Sequence, residues 1–178
     1  VYDLLLHTYI DVDLCGRRDW NEQRALVNMV DRSFVEKALI IADRGYESYN
    51  LMAHIQEKGW KFLIRVKDIY SSGIASGLEL PDSDEFDLHC PIQLTRRKKA
   101  ETIPLFADRN HYKWIGTSTP FDYLPTGSHK HDPIAFYDLP FRIVRFKLSD
   151  STYETVITNL DEESFPPEEL KHLYGMRW

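Results

Sequence analysis

A short apolar run over 38–42, directly after Lys37, is the most informative pattern in the chain. The run is β-branched, sharply bounded and without polar alternation, which indicates a strand buried on both faces. Apolar residues then recur at helical spacing over 46–58, and Gly59 stands where that helix should stop. A second strand-like segment follows over 60–66. Strand, helix and strand of these lengths predict a βαβ unit with parallel strands and a right-handed crossover.

The N-terminal pattern predicts three further elements. An apolar run over 1–6 is typical of a strand, and strict alternation over 9–14 predicts a half-exposed strand that is antiparallel to its neighbour. An apolar stripe at helical spacing then indicates a helix that ends near Phe34. Asp19 or Asn21 would serve as its N-cap.

Regular patterns return after residue 140. Alternation over 141–148 and 153–159, on either side of a Ser-Asp-Ser turn, predicts a β-hairpin. Ser164 precedes two prolines and two acids, so we expect it to cap a final helix. Tyr174 and Arg177 lie three residues apart in that helix and therefore share one face.

Between residues 68 and 140 the periodicity is lost. Turn-forming residues are frequent, and strand-like pieces recur over 89–94, 112–117 and 134–137. The segment is too long for an ordinary loop, so we predict a β-rich insertion subdomain over 68–140. We expect most of its aromatic residues to form a small core, while one or two exposed ones would be able to stack on nucleobases. We interpret the basic run 96–99 as a solvated hairpin tip.

Composition adds a few limits. The chain has 178 residues, is 43% hydrophobic and 28% charged, and holds no apolar run long enough to cross a bilayer. Its net charge of −6 disfavours nucleic-acid binding, but basic clusters over 96–99 and 142–147 allow a local basic face. Cys15 and Cys90 lack metal-ligand spacing, which indicates reduced thiols in a cytoplasmic protein. Because the chain starts without methionine and Trp178 falls in a predicted helix, we expect a piece of a longer protein.

Asp43 is the candidate functional carboxylate. It directly follows the buried strand, and ligands of open α/β sheets collect at the carboxyl ends of strands. Arg44, Tyr46 and Glu47 follow on the same edge, which is more polar chemistry than a helix cap requires. The alternative, a turn residue or cap without a functional role, remains open at this point.

The segment Ala42-Asp-Arg-Gly-Tyr-Glu-Ser48, followed by Gly59-Trp-Lys-Phe-Leu-Ile-Arg-Val-Lys67, resembles the second conserved block of IS4-type transposases. Leu173-Tyr-Gly-Met-Arg-Trp178 is similar to the start of their later Tyr-x-x-Arg-x-x-x-Glu block. The resemblance implies an α/β fold, an RNase H-like mixed sheet with flanking helices. The catalytic core would comprise 1–67 and 141–178, incomplete at both ends and interrupted by the β-rich insertion.

The resemblance also implies roles for individual residues. Asp43 matches the second acid of a catalytic DDE triad and would be a metal ligand. Tyr174 and Arg177 match residues that contact transposon-end DNA, and we predict Arg44, beside Asp43, as a further DNA contact. The implied chemistry is two-metal phosphoryl transfer with Mg²⁺ or Mn²⁺ on transposon ends, carried out by a homodimer. The first aspartate and the final glutamate of the triad have no match, so we expect this chain alone to be inactive.

Two other interpretations compete with this one. The chain could be a non-catalytic RNase H-like remnant that serves as a DNA-binding or protein-interaction module, and the residues at the two unmatched positions would decide between remnant and enzyme. A hydrolase with paired carboxylates is weaker, because no second acid is placed at a parallel strand end. We interpret Asp3, Asp11 and Asp13 as ordinary surface acids, since nothing in the sequence places them beside Asp43.

Overall fold

The computed structural model describes residues 1–14, 21–127 and 132–177. Its strands are β1 (Tyr2–Asp3), β2 (Thr8–Tyr9), β3 (Leu39–Ala42), β4 (Lys61–Arg65), β5 (Phe86–Thr95), β6 (Tyr112–Trp114), β7 (Tyr137–Ser149) and β8 (Thr152–Thr158). Its helices are α1 (Glu22–Arg32), α2 (Tyr49–Glu57) and α3 (Pro167–Gly175). Cys15 and Asp19 lie outside the described residues.

The predicted βαβ unit is confirmed, but β3 is an edge strand in which Leu39 and Ile41 are only partly buried, so the prediction of a strand buried on both faces is wrong. β3 and β4 pair in parallel, with Ala42 opposite Ile64, and α2 connects them. The helix begins at Tyr49, later than predicted, because Ser48 is in an extended conformation and its hydroxyl caps the Leu51 amide. Gly59 stands just past the end of α2, as expected. Its φ of +73° is a left-handed conformation that disfavours residues with side chains.

These strands belong to one mixed sheet with the strand order β3-β4-β8-β7-β5-β6. The predicted hairpin is confirmed as β7 and β8, which pair antiparallel, and β8 also pairs antiparallel with β4. β7 begins at Tyr137 rather than at Phe141, because its first half pairs with β5. The result is an α/β architecture with a six-stranded sheet, as predicted.

The strands of segment 68–140 continue this sheet. β5 pairs antiparallel with β7 from Phe86 opposite Arg145 to Leu94 opposite Tyr137, and β6 adds to β5 in parallel. Residues 134–136 form no strand. The segment therefore shares both the sheet and the main core with its flanks. That it is an insertion relative to related proteins stays a prediction.

The sheet carries helices on both faces. Phe62 and Ile64 of β4 pack in the larger core with α1 and α2, whereas Leu63 between them points to a second core. In that second core Leu170 and Tyr174 of α3 pack against the sheet. The alternation of side chains along the central strands thus decides which residues face the helices on each side of the sheet. Within the described parts of the chain, no helix has the length and apolar character needed to cross a bilayer.

Several local expectations need correction. The strands expected over 1–6 and 9–14 reduce to β1 and β2, which pair only with each other, because the Asp3 carboxylate accepts from the Leu5 and Leu6 amides and turns the chain. Asn21 caps α1 as predicted, accepting from the Arg24 amide at 2.9 Å. Ser164 is not the cap of α3, since that position is taken by Pro166.

The basic run 96–99 is not simply a solvated hairpin tip. The Arg96 guanidinium donates to the backbone carbonyls of Gly116, Thr119, Phe121 and Leu124. A single charged side chain thus satisfies several carbonyls of the loop that follows β6. The role of Arg96 in this structure is to hold that loop.

Candidate functional site at the carboxyl ends of β3 and β4

Asp43 lies at the carboxyl end of β3, where the sequence placed it. Its backbone is still extended, and its carboxylate accepts a 2.7 Å hydrogen bond from the Arg44 amide at the start of a short 3-10 turn, Arg44–Tyr46. The cap interpretation is therefore correct as a description of this contact. The side chain nevertheless remains 36% exposed, so its carboxylate is open to other groups.

Arg65 meets Asp43 across the parallel strand pair. It is the last residue of β4, one position beyond Ile64, which pairs with Ala42. The Arg65 Nη1 atom lies 3.7 Å from Asp43 Oδ1. The geometry follows directly from parallel pairing, because the carboxyl ends of both strands meet at one edge of the sheet.

Arg65 also contacts a second carboxylate, that of Glu154. The Arg65 Nε atom forms an ion pair with Glu154 Oε2, from the neighbouring strand β8. The Glu154 side chain is only 11% exposed. Burial raises the pKa of the Glu154 carboxyl, Arg65 opposes that rise, and the nearby negative charge of Asp43 adds to it. Two carboxylates therefore face a shared guanidinium.

The end of α3 reaches the same carboxylate from the other side. Arg177 Nη2 lies 3.8 Å from Asp43 Oδ2, and Arg177 Nη1 donates a 2.6 Å hydrogen bond to the Tyr174 hydroxyl. The Arg177 guanidinium also lies 5.2 Å from the centroid of the Tyr174 ring. Burial raises the pKa of the Tyr174 hydroxyl, and Arg177 partly offsets this rise. α3 ends at Gly175, so the prediction that Arg177 lies in this helix is wrong, but its side chain meets Tyr174 as expected.

Arg44 is exposed and lies at the rim of the group. Burial raises the pKa of the Glu154 carboxyl, and the positive charge of Arg44 opposes part of that rise, so Arg44 lies within electrostatic reach of this carboxyl. The side chain also lines a cleft of about 440 Å³ next to Asp43. Asp43, Tyr174, Arg177 and Arg44, which come from distant parts of the sequence, thus lie at one edge of the sheet.

The family follows from a comparison with known proteins. A family model described as the transposase DDE domain matches residues 1–178. The chain belongs to this family. The mixed α/β sheet agrees with the RNase H-like fold of such transposase domains. No match was found among curated proteins or among solved structures.

Sequence reasoning missed two residues of this candidate site, Arg65 and Glu154. Arg65 could have been found, because it ends the strand that was predicted to run parallel to β3. Glu154 had a weaker signal, an acid within an alternating strand, and its contact with Arg65 depends on β8 pairing with β4. The acids Asp11 and Asp13, in contrast, pair with Arg32, as expected for surface acids.

The fit of a divalent metal to this candidate site is only partial. DDE transposase domains generally use divalent metals, and carboxylate oxygens are ligands that Mg²⁺ accepts. Asp43 could supply one such ligand, but its oxygens face Arg65 and Arg177. Across residues 1–14, 21–127 and 132–177, no group of three or more potential metal ligands is present. The described side chains therefore do not build a two-metal site by themselves.

Proposed function

We propose that this chain is part of an IS4-type DNA transposase that cuts and joins transposon ends by two-metal phosphoryl transfer. Asp43 would be a catalytic acid and metal ligand in this reaction. The observation that carries the proposal is the contact of Asp43 with Arg177, which joins the proposed catalytic acid to the proposed DNA-binding block. A carboxylate beside a guanidinium can place a metal and a phosphate within reach of each other.

Each residue of the candidate site would have its own role in this reaction. Arg177 and Tyr174 would hold a DNA phosphate, with Arg177 donating from its two terminal nitrogens and Tyr174 from its hydroxyl. Arg44 would contact DNA from the exposed rim. Mg²⁺ or Mn²⁺, when bound, would activate the attacking oxygen and stabilise the leaving oxygen. Arg65 would keep the Asp43 carboxylate oriented in the absence of substrate.

The setting of the activity is also proposed. Transposases act on DNA, and we propose transposon ends as the substrate, a homodimer as the working assembly, and the bacterial cytoplasm, close to the nucleoid, as the location. Asp43 is the only matched member of the three family acids, so we propose that these 178 residues alone neither cut nor join DNA. A Mg²⁺- or Mn²⁺-dependent nick made by the purified chain would overturn this part.

A second function, a non-catalytic module that binds DNA or protein, is favoured by one observation. Both Asp43 oxygens lie near guanidinium groups, and one also caps the Arg44 amide. A carboxylate held in this way supports a structural role as well as a catalytic one. The two functions differ in whether the Asp43 carboxylate is needed for chemistry or only for the positions of its neighbours.

The test is a comparison of cleavage and binding in the full-length parent protein. Wild type and Asp43→Asn are incubated with labelled DNA carrying the ends of the element and Mg²⁺, and binding is measured separately by fluorescence anisotropy. We expect Asp43→Asn to bind DNA but to lose cleavage to background level, because the amide cannot supply a charged metal ligand. Asp11→Asn, which alters a surface acid, should cleave like wild type. Cleavage by Asp43→Asn at the wild-type rate would reject the proposal in favour of the non-catalytic module.

A further inference from the structure

The cleft beside Asp43 has an unusual balance of charge. Its walls come from the turn after β3, the residues after β4, the loop around 73–74 and strand β6. Three cationic side chains line it, those of Arg44, Lys67 and Lys113. Within the described part of the chain, none of these three side chains forms an ion pair with an acid. The cationic side chains in the cleft therefore outnumber its acids.

The one carboxylate in the cleft is already used by the backbone. Glu47 accepts from the Lys67 amide at 3.0 Å with one oxygen and from the Ile74 amide with the other. The acid thus ties the loop around residue 74 to the turn after β3. Glu47 keeps its negative charge, so the cleft holds three cationic side chains against one carboxylate.

Lys113 points to a ligand more strongly than an ordinary surface lysine would. Its side chain is half-buried, and burial together with the nearby charge of Arg109 lowers its pKa. The Arg109 guanidinium donates to the uncharged carbonyls of Ser76 and Gly77, so it adds a second positive charge near Lys113. The charged form of a lysine that is buried beside another cation is unfavourable. A bound anion would stabilise this charge and offset both the cost of burial and the repulsion.

Two glycines make room for this arrangement. A Cβ at Gly77 would lie 2.7 Å from Lys113 Nζ, and a Cβ at Gly73 would lie 2.6 Å from Glu47 Oε1. Any side chain at these positions would displace the lysine or the carboxylate. The close approach of the backbone to Lys113 and Glu47 thus depends on glycine at both positions.

We infer that this cleft binds a backbone phosphate of the DNA strand, next to the phosphate handled at Asp43. Arg44 connects the cleft to the candidate site, since it follows Asp43 in sequence and its side chain lines the cleft. A volume of about 440 Å³ accommodates more than a phosphate alone, so the adjoining sugar of a nucleotide fits as well. This inference rests on the proposed function for the identity of the ligand, but not for the existence of the anion site.

The test is a salt-dependence measurement on the full chain. Binding of a fluorescein-labelled single-stranded oligothymidylate is followed by anisotropy over a series of NaCl concentrations. We expect Lys113→Gln to weaken binding and to reduce the slope of log K against log salt by about 0.7, the value for one phosphate contact on a single strand. Lys67→Gln should act in the same direction, and Lys113→Arg should retain the wild-type slope.

Lys37→Gln is the matched control, because it removes the same charge from an exposed side chain at the opposite end of β3. A slope for Lys113→Gln equal to that of Lys37→Gln would overturn the inference. Should Lys113→Gln fold poorly, NMR titration of the wild-type chain replaces it, with the amides of Gly45 and Gly73 as reporters. Shifts of these amides with the oligothymidylate support the inference, and their absence overturns it.

The two sources of phosphate are separated by adding inorganic phosphate in place of DNA. Shifts at Gly45 and Gly73 that appear at lower concentrations of the oligothymidylate than of inorganic phosphate identify the strand as the ligand. Shifts with inorganic phosphate alone would identify a small-anion site and overturn the DNA assignment. This test can fail independently of the proposed chemistry. Asp43→Asn could retain cleavage while Lys113→Gln lowers the salt slope, and Asp43→Asn could lose cleavage while Lys113→Gln leaves the slope unchanged.

Discussion

Arg177 lies within 3.8 Å of Asp43, measured from Nη2 to Oδ2. The two residues lie far apart in the sequence, one following the edge strand β3 and the other following helix α3. In this transposase DDE domain, their contact joins the proposed catalytic acid to the proposed DNA-binding block. The same guanidinium donates a hydrogen bond to the Tyr174 hydroxyl, so a substitution at the end of α3 will change the surroundings of the Asp43 carboxylate.

The first prediction concerns the pairing of Arg65 with Glu154. We expect Arg65→Gln to lower the free energy of unfolding by about 2 kcal/mol, because it leaves the Glu154 carboxylate buried without its partner. Arg65→Gln combined with Glu154→Gln should lose less than the sum of the single changes, with a coupling of about 1 kcal/mol or more. Urea denaturation of the four proteins measures this cycle. The exposed pair Lys147 and Asp150 is the control, and its coupling should stay below about 0.5 kcal/mol.

The second prediction concerns Arg142, a buried guanidinium of β7. It pairs with both oxygens of Asp87 and donates to the carbonyls of Leu160 and Phe165, which lead into α3. We expect Arg142→Met to lower the free energy of unfolding by about 3 kcal/mol, since it leaves one carboxylate and two carbonyls unsatisfied. Arg32→Met, which breaks exposed ion pairs, should cost less than about 1 kcal/mol. Equal losses from both variants would contradict the role given to Arg142.

The third prediction is a pH dependence carried by Asp122. Hydrogen bonds from the Asn50 side chain and from His54 lower the pKa of the Asp122 carboxyl from 3.8. An acid whose folded pKa is depressed contributes stability that is fully present above its unfolded pKa and is lost as the pH falls through the folded pKa.

We therefore expect Asp122→Asn to be less stable than wild type at pH 7, with a gap that narrows as the pH falls below about 3.8. Denaturant titrations over a series of pH values measure this gap. Asp82→Asn, at an exposed position, should follow the wild-type profile throughout. A gap for Asp122→Asn that stays constant with pH would show that the carboxyl contributes no linked stability.

The fourth prediction separates the two parts of Tyr174. Its ring packs in the core between α3 and the sheet, while its hydroxyl accepts from Arg177. We expect Tyr174→Phe to cost about 1 kcal/mol and Tyr174→Ala about 4 kcal/mol, because only the second leaves a cavity. Thermal and urea unfolding measure both losses. A large loss from Tyr174→Phe would mean that the hydrogen bond, rather than the packed ring, holds the end of α3.

Local chemistry in the sequence was sufficient for the central unit and the hairpin. The unbroken apolar run into Asp43, the helical spacing before Gly59 and the alternation on either side of residue 150 each depend on neighbours close in the chain. For that reason β3, α2, β4, β7 and β8 were predictable, as was the position of Asp43 at a strand end. The short β1 and β2 were overestimated, because the turn made by Asp3 outweighs the alternation that follows it.

Tertiary structure alone decided which distant residues meet. Strand order placed β8 beside β4 and so brought Glu154 to Arg65, and the packing of α3 on the second face brought Arg177 to Asp43. It also joined the strands of segment 68–140 to the central sheet, because the long edge of β7 pairs with β5. The physical reason is that periodicity fixes which face of an element is buried, whereas the partner of that face depends on hydrogen bonds and packing across the whole chain.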